Sequence, residues 1–147
     1  MLVFRICLIK WSHKLTASGF GARWNSNGRF VIYTAESRAL ACLENLAHRS
    51  GEGFNGDFRV LTIEIPGSVK IQEVKLKNLD NDWSKLSKAN YCKSIGDSWL
   101  DKHETAVLKV PSAIISDECN YLINPNHTDF RKISLVKTDK FIFDHRL

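Results

Sequence analysis

Residues 19–28 form a glycine-rich segment that contains one arginine suited to binding phosphate. The segment reads Gly-Phe-Gly-Ala-Arg-Trp-Asn-Ser-Asn-Gly, with Arg23 near its centre. Glycines let a backbone approach a ligand closely, and the planar guanidinium of arginine pairs well with phosphate oxygens. The alternative interpretation is a surface loop with an exposed arginine, and the segment alone does not decide between the two.

A second set of polar side chains lies on a predicted helix that begins after Ser37, a suitable N-cap residue. Three apolar residues then recur at the spacing of one helix face: Leu40, Leu43 and Ala47. Glu44 falls at the edge of this predicted face, and His48 lies one turn further along on the same side. A carboxylate at the margin of a core often marks a functional site, because its desolvation is costly. A half-exposed Glu44 and a His48 that caps the last turn are the alternative.

A third set of polar side chains lies among residues that favour strands. Ser112 follows a proline directly, and residues 120–127 include Asn120 and His127. Such residues are also common in turns. No Gly-x-Ser-x-Gly motif surrounds Ser112, which argues against a serine hydrolase. The chain has no P-loop, no dinucleotide-binding glycine motif and no metal-ligand spacing, so we expect no metal.

Strands are the main elements that must position these residues. The patterns predict strands over 1–10, 30–34, 58–65, 106–110 and 140–143, and a second, shorter helix over 97–103. Residues 50–56 and 78–87 are predicted loops. Many strands, few helices and no strict βαβ alternation predict an α+β fold, with residues 1–147 forming a single domain.

Composition and charge narrow the classes of function. The chain has 147 residues, a net charge of +5 and 44% hydrophobic residues. The first ten residues predict a strand rather than a signal peptide, and no apolar run approaches the ~20 residues of a membrane span. Its four cysteines lack metal-ligand or redox spacing, which favours buried thiols in a reducing cytoplasm. Scattered basic residues favour an anionic small molecule or an acidic protein partner over direct nucleic-acid binding.

Seven blocks of sequence, taken in order, resemble the RES domain, a family named for an arginine, a glutamate and a serine. The blocks are residues 21–26, 31–35, 39–48, 95–100, 107–113, 120–127 and 141–147. The chain departs from the usual pattern at Ala22, where the family more often has a second glycine. It departs again at Thr128, where the family usually has proline.

The resemblance implies a fold like that of ADP-ribosyltransferases, with a split β-structure around an NAD cleft and flanking helices. It implies a cytoplasmic bacterial toxin that cleaves the nicotinamide–ribose bond of NAD by hydrolysis or phosphorolysis. Some members are instead ADP-ribosyltransferases that modify a protein. The resemblance also implies that NAD is the substrate, that no cofactor is needed, and that an Xre-like antitoxin occludes the active site in a hetero-oligomer.

Carried over residue by residue, the family's functional positions fall on Arg23, Tyr33, Glu44 and Ser112. We expect Arg23 to bind the pyrophosphate or an adjacent ribose, and Tyr33 to stack on the nicotinamide. Glu44 would stabilise the cationic sugar or orient the nucleophile, and Ser112 would bind a ribose or the nicotinamide amide. Three secondary candidates for NAD binding are Asn25, His48 and Asn120.

Two other classes of function stay open at this point. The first is a basic RNA-cleaving or nucleic-acid-binding toxin, in which His48 or His127 would be the general base and Arg23 would bind phosphate. The second is an interaction module without enzymatic activity. Incubation with NAD and, separately, with RNA distinguishes all three classes.

Overall fold

A mixed β-sheet is the centre of the fold. The protein is represented by a computed structural model, which describes residues 1–48 and 56–147. Seven strands form the sheet in this part of the chain: β1 (Leu2–Leu8), β2 (Ile32–Ala35), β3 (Phe58–Glu64), β4 (Ile71–Glu73), β5 (Val107–Pro111), β6 (Cys119–Ile123) and β7 (Ser134–Phe141). Two α-helices accompany them: α1 (Arg38–His48) and α2 (Ala89–Lys102). The α+β class predicted from the sequence is confirmed.

The sheet consists of two halves that meet at one point. The strand order is β4-β5-β6-β2-β1-β3-β7, and all neighbouring strands are antiparallel except β4 and β5. β1 pairs with β3 along its whole length, and β2 pairs with β6 along its whole length. Between β1 and β2, however, only Phe4 and Ala35 pair. This arrangement matches the split β-structure that the resemblance implies.

The two helices cover different halves of the same sheet face. Leu40 and Ala41 of α1 pack on β1 and β3, whereas Trp99 and Leu100 of α2 pack on β5 and β6. A third apolar cluster, which includes Val3, lies on the opposite face and spans both halves. The boundary between α1 and α2 therefore lies over the point where β1 and β2 diverge.

The prediction of which residues form the buried face of α1 is wrong in part. Ser37 is the expected N-cap, because its Oγ accepts the backbone N–H of Leu40 at 3.0 Å. Leu43 is 37% exposed, and Ala47 is exposed as well. The helix is turned so that Glu44 lies within its inward face, because α1 covers a cavity as well as an apolar sheet surface.

Several element boundaries also differ from the predictions. β2 starts at Ile32, and Phe30 lies in the exposed segment before it. α2 is longer than the predicted 97–103. Only residues 140 and 141 of the predicted strand 140–143 lie in a strand, at the end of β7, which begins at Ser134, and β4 was not predicted. Residues 78–87 lie outside strands and α-helices, as expected, whereas 50–55 of the predicted loop 50–56 fall outside the described residues.

Two expectations from composition can be compared with the structure. Cys7 and Cys92 are buried thiols, as predicted, whereas Cys42 and Cys119 are half-buried. Neither α1 nor α2, the α-helices of the described residues, has the length and hydropathy needed to cross a bilayer.

The glycine-rich segment docks onto α2 through close backbone contact. The carbonyl of Trp24 packs directly against Gly96, where a Cβ atom would lie 1.7 Å from the carbonyl oxygen. Asp97 accepts hydrogen bonds from the backbone N–H and the hydroxyl of Ser26, at 3.1 and 2.5 Å. These contacts fix the position of Arg23, the residue before Trp24.

We expect Gly96→Ala to destabilise the protein, although alanine normally favours a helix. The added methyl group would force the glycine-rich segment away from α2, at a cost of about 1–3 kcal/mol in the free energy of unfolding. Gly67→Ala is the matched control, because its Cβ would meet no atom within 4 Å. Urea denaturation should give a lower midpoint for Gly96→Ala alone, and equal midpoints for both variants would contradict the docking contact.

Candidate active site

A cavity of about 240 Å³ opens where the two central strands diverge. Beyond the Phe4–Ala35 pair, β1 contributes Arg5 to the cavity wall and β2 contributes Tyr33. The inward face of α1 contributes Glu44. Polar and charged side chains from three elements therefore meet in one opening of the sheet.

The opening leaves a backbone group of β1 without a partner in β2. The side chain of Asn45 on α1 supplies one, since its Nδ2 donates to the carbonyl oxygen of Ile6 at 3.1 Å. Buried carbonyls of a strand need such a partner wherever sheet pairing stops. Asn45 thus holds α1 against the open edge of β1.

Glu44 is fixed through one of its two carboxylate oxygens. Oε1 accepts hydrogen bonds from Oγ of Ser112 at 3.0 Å and from Nδ2 of Asn120 at 2.7 Å. Oε2 lies 3.8 Å from Nδ1 of His48 and receives no hydrogen bond from the described residues. The side chain of Glu44 is 22% exposed, so one oxygen is anchored and the other is available.

Ser112 lies behind Glu44 and is not part of the cavity wall. It is fully buried, and its Oγ accepts the backbone N–H groups of Ile114 and Ile115 at 3.1 and 3.2 Å. These two bonds occupy the lone pairs of the hydroxyl and direct its proton to Glu44. The structure therefore brings Ser112 to Glu44, as a donor to its carboxylate.

Tyr33 lines the cavity and is held by the glycine-rich segment. Its hydroxyl donates to Oδ1 of Asn25 at 2.6 Å and accepts the N–H of Trp24 at 3.1 Å. Burial raises the pKa of the Tyr33 hydroxyl well above its ordinary value. The hydroxyl is thus neutral and fully occupied, and the ring is the part of Tyr33 that can contact a ligand.

Asn25 organises the glycine-rich segment from within. It is 1% exposed, and its Nδ2 donates to the carbonyl oxygens of Phe20 and Arg29 at 3.0 and 2.9 Å. Gly19 and Gly28 close the segment with φ of +77° and +82°, which favour glycine. The glycines therefore serve the turn geometry, and the side chain of Asn25 has no group left for a ligand.

Arg23 lies beside the cavity and does not line it. Its guanidinium is 5.8 Å from the ring centre of Trp83, close enough for a cation–π contact. It forms no ion pair with a carboxylate of the described residues. The cation is half-buried and remains available to an anion outside the cavity.

Arg5 is a candidate functional residue that sequence reasoning missed. It lines the cavity, and its Nη1 donates to the carbonyl oxygen of Thr16 at 2.7 Å. Burial lowers the pKa of the Arg5 guanidinium, and no carboxylate pairs with it within the described part of the chain. The sequence does contain a signal that could have identified Arg5, because it is the one cation within the apolar strand β1. A charge in such a strand rarely lies in a core without a partner.

The two histidines considered as general bases differ in position. His48 lines the cavity with its side chain 63% exposed, and its Nδ1 lies 2.9 Å from the carbonyl oxygen of Glu44. His127 lies elsewhere, where Nδ1 accepts the N–H of Asp129 and Nε2 donates to the carbonyl of His103, both at 3.0 Å. His127 therefore orients a turn and takes no part in the cavity.

Comparison with known proteins finds one domain family and several relatives that match most of the chain. The RES domain profile matches residues 3–144. A Prs ADP-ribosylating toxin of Sphingobium sp. is 36% identical over 86% of this chain and 80% of that protein. A protein named Toxin Res, from Yersinia enterocolitica, is 33% identical over 100% of this chain and 99% of that protein.

A solved structure has the same fold at low sequence identity. The M. tuberculosis MbcT–MbcA toxin–antitoxin complex contains a chain that superposes with a TM-score of 0.77. The match covers 96% of this chain and 84% of that chain, at 18% identity. At this level of identity the likeness concerns the fold.

We expect Tyr33→Phe to lower the free energy of unfolding by about 1–3 kcal/mol, because Asn25 and Trp24 lose a buried partner. The raised pKa of Tyr33 means that the neutral hydroxyl is favoured in the folded state. Its stabilising effect is therefore constant below about pH 10, the ordinary tyrosine value, and decreases as the pH rises further.

Urea denaturation between pH 7 and 11 measures this effect, with Tyr91→Phe as the matched control. Tyr91 is half-buried, and its hydroxyl makes no hydrogen bond within the described residues. A difference between wild type and Tyr33→Phe that stays constant up to pH 11 would contradict the assignment.

Proposed function

The chain belongs to the RES domain family, and from that membership we propose that it is a toxin that breaks the nicotinamide–ribose bond of NAD. The observation that carries the proposal is the carboxylate of Glu44 in the cavity at the sheet opening. One of its oxygens is anchored by Ser112 and Asn120, and the other is left for chemistry. NAD is a substrate in this proposal, and no cofactor is required.

The chemistry needs negative charge more than it needs an acid. Nicotinamide leaves with the electron pair of the C1′–N1 bond and becomes neutral, so its departure needs no proton. The ribose carbon becomes an oxocarbenium-like cation, which sets the barrier. A carboxylate fixed beside that carbon stabilises the developing charge without reorganising, and this is the role we assign to Glu44.

The size of the cavity suggests which half of NAD it holds. Sites for drug-sized ligands measure about 300–1,000 Å³, and this cavity measures about 240 Å³. We assign it to the nicotinamide riboside half, with the nicotinamide against the ring of Tyr33. The pyrophosphate of NAD would contact Arg5. Arg23, beside Trp83, would bind the portion of NAD that extends out of the cavity.

The acceptor of the ADP-ribose is water or phosphate in this proposal. A water oxygen that bonds to C1′ releases its proton to solvent, whereas an anionic phosphate oxygen bonds to C1′ without losing one. We assign Oε2 of Glu44 the role of orienting the acceptor. The Sphingobium relative, named as an ADP-ribosylating toxin, makes transfer to a protein the second candidate. Mass spectrometry of the NAD-derived product distinguishes these acceptors.

An antitoxin is the partner that this function requires. A toxin that consumes NAD in the cytoplasm would stop growth of its own host unless its cleft were blocked. The related fold is known in a toxin–antitoxin complex. We propose an Xre-like antitoxin whose acidic group or chain terminus meets the arginines of the cleft in place of phosphate, forming a hetero-oligomer.

We expect Glu44→Gln to keep the fold and to reduce nicotinamide release from NAD by about 100- to 1,000-fold, because the amide cannot oppose the cation. Glu64→Gln is the control, since Glu64 is an exposed carboxylate at the end of β3. Nicotinamide is measured by chromatography after incubation with NAD, and RNA is incubated in parallel. RNA cleavage without nicotinamide release would favour the nuclease alternative, and no change in either substrate would favour an interaction module.

Arg5→Gln should raise the KM for NAD by roughly 10- to 100-fold, which corresponds to the loss of one charge-assisted hydrogen bond of about 1.5–3 kcal/mol. The melting temperature should stay the same or rise, because the variant no longer desolvates a cation that has no carboxylate partner among the described residues. Arg131→Gln, at an exposed position, is the control for lost charge alone. An unchanged KM in Arg5→Gln would remove Arg5 from the substrate site.

A further inference from the structure

We infer that Asn120 is a positioning residue that acts on NAD through Glu44, and that it is not a ligand of the dinucleotide. The inference rests on the proposed function and deepens it. From the sequence, Asn120 is a secondary candidate for NAD binding. The contacts of its side chain assign it a different task.

The amide nitrogen of Asn120 is committed to Glu44. Nδ2 lies 2.7 Å from Oε1 of Glu44, the shorter of the two hydrogen bonds that this oxygen accepts. A charge-assisted bond of this length is strong and directional. With Ser112 as the second donor, Oε1 is held from two directions, and rotation of the carboxylate is blocked.

The amide oxygen of Asn120 is not available to a ligand. Oδ1 is buried, and it has no hydrogen-bond partner among the described residues. An unpaired buried acceptor costs free energy that an apolar residue at the same position would not cost. The hydrogen bond to Glu44, and not packing within the sheet, therefore explains why an asparagine occupies position 120.

The position of Asn120 in the sheet suits this task. It pairs with Ala35 of β2, and Ala35 pairs with Phe4 of β1. Asn120 thus lies in the row of residues that closes the sheet opening, where the backbone is held on both sides. Ser112 is held equally firmly by the turn that follows β5.

Other ionisable groups also face the cavity. Arg5 lines it from β1, Tyr33 from β2 and His48 from α1. Substituting Asn120 leaves all three groups in place. A change in the pH dependence of Asn120 variants therefore reports on the contact with Glu44.

Steady-state kinetics with NAD separates a positioning role from a binding role. Asn120→Ala should lower kcat by about 100-fold, the effect of a small displacement of a catalytic group, and leave the KM for NAD within about twofold. Ser112→Ala, which removes the other donor to Oε1, should show the same pattern. A KM raised tenfold or more with kcat maintained in Asn120→Ala would make Asn120 a substrate ligand and overturn the inference.

Asn120→Asp provides a second test that preserves side-chain shape. Two carboxyl groups within hydrogen-bonding distance share a proton. The acidic limb of the pH–rate profile of Asn120→Asp should therefore shift to higher pH by about one pH unit or more. Thermal denaturation confirms that the variant is folded. A profile identical to that of the wild type would contradict the inference.

Direct binding completes the comparison. In the Glu44→Gln background, where NAD is consumed slowly enough for a binding measurement, calorimetry should give the same Kd for NAD with and without Asn120→Ala. A weaker Kd in the double variant would overturn the positioning role, whereas the proposed activity would remain. A wild-type protein that leaves NAD intact would instead overturn the proposed function, and the inference with it.

Discussion

The pairing of Phe4 with Ala35 is the constraint on which the rest of the molecule depends. Two central strands that met along their whole length would leave no space between them, and strands that did not meet at all would leave two separate sheets. One pair of residues joins the halves and leaves an opening next to it. The backbone groups exposed there need partners, and Asn45 provides one from the helix above. The helix is therefore held by the same opening that it covers.

Groups that destabilise the fold are concentrated around this opening. Arg5 is a half-buried cation without a carboxylate partner in the described residues, and Oδ1 of Asn120 is a buried acceptor without a donor there. Each costs folding free energy. The apolar clusters on both faces of the sheet offset these costs. This distribution is typical of a site in which stability is sacrificed for chemistry.

Sequence reasoning identified the elements better than their limits and orientation. Local sequence patterns predicted that Ser37 caps α1 and that β1 and β3 are strands. The structure confirms all three predictions. β7 was mostly missed because an edge strand exposed to solvent carries charged residues in place of the alternation that marks a buried strand. The rotation of α1 depends on the sheet opening beneath it, which no local pattern encodes. Arg5 was overlooked for a related reason, since only the divergence of β1 from β2 turns a strand residue into a cavity residue.

The order of the strands also determines when the cavity can exist. β1 and β2 are made first, yet they lie in the middle of the sheet and are flanked by β6 and β3. β6 holds β2 in place and carries one of the two donors to Glu44, and it ends at Ile123. A nascent chain on the ribosome therefore has no complete cavity until β6 is available to pair with β2, because contacts between distant segments must form first. The topology thus delays the appearance of the site until β6 has been synthesised.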